Sequence, residues 1–153
     1  MQHTKFTKTF VISKTILVLA SLLLLLYRPT LTIPILLVNI GIAVAEAGYN
    51  GHLLNAALGL AIFIWVSRLR YDDASRQVPM LIAVYTLWNF QFHYLHVHDT
   101  MTAVSHTLVP AVVALGVYSQ APQYTLRAFL LARLIALSTH ALHYASPSMC
   151  HSK

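Results

Sequence analysis

The chain has 153 residues, 58% of them hydrophobic and only 9% charged, with a formal net charge of +6. A soluble domain carries about a quarter charged residues, so this composition excludes an ordinary water-facing surface. Apart from Arg133 the basic residues sit near segment ends, with no cluster interleaved with exposed aromatics, which argues against a nucleic-acid partner. Cys150, the single cysteine, excludes an internal disulfide and a thiolate metal cluster.

Taken in order, the pattern predicts six apolar helices in one transmembrane domain over residues 1–153. The first covers 10–27. Lys5, Lys8 and Lys14 precede its apolar run as in a signal peptide, but no small-x-small cleavage site follows, so it is expected to be retained as a first helix. Arg28-Pro29-Thr30 ends it, because proline lacks an N–H and disfavours helix in the residue before it. The second helix covers 31–47 and the third 52–67, separated by the turn-like Gly48-Tyr49-Asn50-Gly51. The fourth is expected to start near Pro79 and run over 79–97. The fifth covers 101–118, with Asp99 or Thr100 as its N-cap. The sixth covers 124–145 and is closed by Pro147. The fold class expected is therefore all-α, a polytopic membrane helix bundle of about six spans, arranged as three helical hairpins.

Six spans sort the polar residues by side. Glu46 and His52, the stretch from His93 to His106, and His140 and His143 all fall near the side that carries the termini. The opposite side receives Arg28, Arg68 and Arg127, and Lys14 is expected to snorkel from the end of the first helix. Residues spaced at i, i+4 and i+7 share a helical face. Asn89, His93 and His96 do so on the fourth helix, Arg133 with His140 and His143 on the sixth, and Asn39 with Glu46 on the second. Glu46, His93 and His140 are equally spaced along the chain, which fits three hairpins of similar length or a true repeat. Arg133 lies mid-helix and needs a partner; Glu46, directly or through water, is the expected one.

These positions point to a metal site. Imidazole is the commonest protein metal ligand, and H-x-x-H at His93/His96 and His140/His143 brings pairs of rings onto one helix, with His106 and His52 to complete the set. Glu46 or Asp99 would serve as carboxylate ligand or general base. Nitrogen and oxygen ligation suits zinc, iron or copper, and an open zinc or iron site would act on a lipid or small molecule as a hydrolase or oxidoreductase. In residue type and location this pattern resembles the histidine-rich membrane metalloenzymes, such as fatty-acid desaturases and hydroxylases or the alkaline ceramidase and adiponectin-receptor group. The desaturase H-x-x-H-H box is absent, since Val97 follows His96, and the ceramidase-like enzymes have seven spans in a longer chain, so no residue role is carried over. The first alternative is a non-enzymatic membrane subunit, assembly factor or carrier, in a homo-oligomer or larger complex. Gly41, Ala45 and Gly48, and Ala56 and Gly59, would permit close helix packing in it. A b-type haem held by two facing histidines, for example His106 and His140, is the further alternative.

Overall fold

A computed structural model describes residues 3–69, 74–97 and 100–145, and these are all-helical, without a strand. Six rods follow one another: α1 (His3–Tyr27), α2 (Thr32–Tyr49), α3 (Leu53–Ser67), α4 (Ala74–Phe92), α5 (Thr100–Gln120) and α6 (Thr125–Ala145). A single 3-10 turn, Pro29–Leu31, leads into α2, and another, Pro122–Tyr124, leads into α6. Each opens on a proline, which fixes φ for a first helical turn and has no N–H to waste there. Between α2 and α3 the chain reverses at Gly51, whose φ of 79° is a left-handed conformation that glycine adopts without steric cost.

The helix expected to begin near Pro79 begins earlier, at Ala74, with Pro79 inside it. Ala74, Arg76 and Gln77 are good helix formers and extend the rod N-terminally. α4 continues beyond Phe92 into a π-helical turn, His93–Val97, and α5 contains a second one, Val104–Leu108. In the latter the N–H of Val109 donates to the carbonyl of Val104, five residues back.

Each rod buries one stripe. On α3 it is Asn55, Gly59, Ile62 and Val66; on α6 it is Leu126, Phe129, Leu130, Arg133, Leu134 and Ser138. Both follow the helical period. The most extensive interface joins α2 to α3, followed by those of α6 with α5 and with α1. α6 also touches α2 and α4, while α3 packs on α2 and α4. Gly59 marks the closest approach: a Cβ there would collide with the Trp88 ring and lie 2.6 Å from Val44 Cγ2, so only glycine lets α2, α3 and α4 meet. Trp88 Nε1 donates to the Asn55 carbonyl at 3.1 Å, and Gln91 Nε2 donates to Asn55 Oδ1, tying α4 to α3.

The core is mainly apolar, but the packing also buries polar groups and leaves many large apolar side chains outside. Buried positions include Asn39, Asn55, Asn89, His106 and Arg133, while Leu23, Leu58, Leu87, Val112 and Ile135 are among the large apolar side chains facing outward. Among the described residues two helices, Pro29–Tyr49 and Thr100–Gln120, are long and apolar enough to cross a membrane, and the shorter Ile12–Tyr27 and Leu53–Ser67 are also apolar.

Candidate functional site

The interior polar groups converge on Arg133, which sits near the middle of α6 and is 5% exposed. Its Nη1 donates to the carbonyl of His106 at 2.8 Å, and its Nη2 donates to Asn89 Oδ1 at 2.9 Å. Its guanidinium carbon lies 5.0 Å from the centroid of the Tyr85 ring, a cation–π contact in a desolvated place. Asn89 is held in turn by its Nδ2, which donates to the Tyr85 carbonyl at 3.2 Å. The Tyr85 ring is wedged edge-on against Phe129. Arg133 is thereby fixed from α4, α5 and its own helix.

A proline sets up the α5 side of this arrangement. In an α-helix the carbonyl of His106 would accept from the N–H of residue 110. That residue is Pro110, which has no N–H. Lacking that α-helical donor, the carbonyl, which lies in the π-helical turn, accepts from the Arg133 guanidinium. Prolines persist in buried apolar helices when a neighbouring helix re-satisfies the freed backbone group in this way.

The two π-helical turns bring histidines together. The rings of His93 and His106 stand 5.8 Å apart at 82°, in edge-to-face contact. His106 is buried, at 3% exposure, while His93 is half-buried. π-helical turns inside α-helices are frequent at functional sites, and here each carries one ring of the pair.

Next to this pair lies a cavity of about 40 Å³, bounded by α1, α2, α4 and α6. It is large enough for water. Lys14, Asn39, Glu46, Asn89, His93 and Arg133 supply its polar lining, and Val18, Ile42, Ala43, Phe92 and Leu137 supply the apolar part. Lys14 does not snorkel outward. Its ammonium reaches across to Glu46, 2.9 Å from Oε2 and 3.2 Å from Oε1. The direct Arg133–Glu46 pair expected from the sequence is not formed: the carboxylate is held by Lys14, and Arg133 finds neutral oxygens. Both nevertheless line the same cavity.

Among the sequence-predicted residues, Glu46 and His93 line the cavity, and His106 stands against His93. His52 lies behind the cavity wall, its ring 6.1 Å from that of Phe92. Asp99 and the side chains of His96, His140 and His143 are outside the described residues. Among the described residues no three histidine, cysteine or acidic side chains gather closely enough to hold a metal. Sequence reading missed the role of Lys14, Tyr85 and Pro110. The signal for the last was available, since a histidine followed four residues later by proline in one helix marks a released carbonyl. No family model matches the chain, and comparison with curated proteins and with solved structures found no match.

Proposed function

We propose that this chain is a multi-pass membrane protein whose six helices enclose a polar site for a small molecule or lipid. The observation that carries this reading is an apolar exterior around buried polar groups. Outward positions such as Leu23, Leu58 and Val112 are apolar, whereas Arg133, Asn89 and His106 are buried. A bundle in water would place its ionic groups on the outside; in lipid, polar groups turn inward and mark the functional path. At 1.5 Å per residue the 21 residues of Thr100–Gln120 extend about 30 Å, the thickness of a hydrocarbon core.

The chemical centre of the site is the His93–His106 pair. In the metal-dependent form of this reading, the two imidazoles bind zinc, iron or copper, with a third ligand from His96, His140 or His143. The test is metal analysis of detergent-purified protein. A stoichiometric transition metal lost on replacing His93 and His106 supports it. Metal far below one equivalent, unchanged by those substitutions, contradicts it. A Soret band would select the haem alternative.

A second reading is a non-enzymatic carrier or subunit. The Lys14–Glu46 bridge favours it, because it occupies the one carboxylate that lines the cavity among the described residues, which would otherwise be the natural general base.

A further inference from the structure

Building on the reading of an interior polar site, we propose that the cavity between α1, α2, α4 and α6 binds a small carboxylate on Arg133, either free or as the head of an acyl chain. The argument starts from the arginine's unspent donors. A guanidinium carries five N–H groups in a planar fork. Nη1 and Nη2 each donate to a neutral oxygen, on His106 and Asn89. Nε is buried and meets no acceptor among the described residues. No carboxylate reaches the guanidinium within ion-pair distance among those residues, because Glu46, across the cavity, has both oxygens on Lys14. Among the described residues the cavity is thus lined by two cations and one carboxylate that is already paired.

A buried cation without an anion is costly, and an oxyanion presented to it is correspondingly favoured. The fork can give two parallel hydrogen bonds to a planar carboxylate, and a singly charged carboxylate, unlike a doubly charged phosphate, balances the one unpaired cation between apolar walls. The cavity, about 40 Å³, has room for a carboxylate head. Val18, Ile42 and Leu137 give it walls that an alkyl tail would contact favourably.

The test uses the full chain in lipid nanodiscs, titrated with decanoate, acetate, decanol and inorganic phosphate, with binding followed by calorimetry and by the thermal midpoint. Saturable decanoate binding with a raised midpoint, and none with decanol, supports the proposal. Acetate binding as tightly as decanoate identifies a free carboxylate as the source, and decanoate binding alone identifies an acyl chain. Arg133→Gln should weaken binding at least about tenfold. Ala43→Leu fills the cavity without touching the charge and should also abolish binding, which keeps the test decisive if Arg133→Gln fails to fold. Absence of saturable carboxylate binding, equal binding of decanol, preference for phosphate, or undiminished binding in Ala43→Leu would overturn it. A chain that stays in nanodiscs yet ignores carboxylates sinks this proposal alone. A chain that is soluble without detergent sinks the enclosing membrane reading with it.

Discussion

Arg133 and Asn89, 44 residues apart in sequence, meet in the core with Nη2 2.9 Å from Oδ1. The contact holds α6 to α4 at the level where the histidines gather. Removing one partner of a buried charged hydrogen bond leaves the other unsatisfied, whereas removing both does not. Asn89→Leu is therefore expected to destabilise the protein by about 1–3 kcal/mol. The Asn89→Leu/Arg133→Met double variant should lose clearly less than the sum of the single changes. A double-mutant cycle on thermal or denaturant unfolding in detergent measures this, and strict additivity would mean that the contact carries no coupling.

Pro110 supplies a prediction opposite to that from helix propensity. Replacing an interior helical proline by alanine should on propensity alone stabilise a helix by up to about 3 kcal/mol. Here Pro110→Ala would return an N–H to the His106 carbonyl and compete with Arg133 for it. The expected result is no gain or a loss of stability in the native background, turning into a gain when Arg133 is replaced by Met. Equal stabilisation in both backgrounds would show that the released carbonyl is irrelevant to Arg133.

The Lys14–Glu46 bridge is about a third exposed at Lys14 and a quarter at Glu46. Partial exposure keeps its contribution near 1 kcal/mol or less. Lys14→Glu and Glu46→Lys should each lower the thermal midpoint, and the double swap should recover most of the loss. The corresponding swap of Arg133 with Glu46 should recover nothing, because those side chains are not in direct contact.

Gly59 tests the close approach of α2, α3 and α4. Gly59→Ala places a methyl against the Trp88 ring and Val44, neither of which has a long flexible end to move aside. Overpacking of this kind costs about 1–3 kcal/mol, despite alanine's better helix propensity. A Gly59→Ala variant at least as stable as the native chain would contradict the packing described.

Much of this fold was legible because apolar runs and their breakers are local signals. Arg28-Pro29 and Gly48 to Gly51 end helices by chemistry contained within a few residues, and the turn at Gly51 lies where its composition indicated. The fourth helix starts earlier than expected because Pro79 carries a first-turn signal, while the helix formers before it extend the rod. The polar layer was legible in part. Helical spacing put Asn89 with His93 and Asn39 with Glu46, and all four line one cavity. Pairing was not legible, because which cation reaches Glu46 depends on how α1 and α6 rotate against α2. That rotation is set by long-range packing, and it gave Glu46 to Lys14 and left Arg133 to neutral oxygens.

The central claim, a lipid-facing bundle with an interior polar site, is tested most directly by spin labels on single cysteines. With Cys150 replaced by serine, cysteines are placed in turn at Leu58 and Val112, which are 49% and 68% exposed, and at Arg28, which is also exposed, at a helix end. Accessibility to oxygen and to a water-soluble nickel chelate is then measured in bilayers. Labels at Leu58 and Val112 should be reached by oxygen and shielded from nickel, and the label at Arg28 should be open to nickel. Free access of nickel to Leu58 and Val112 would place those faces in water and contradict the account.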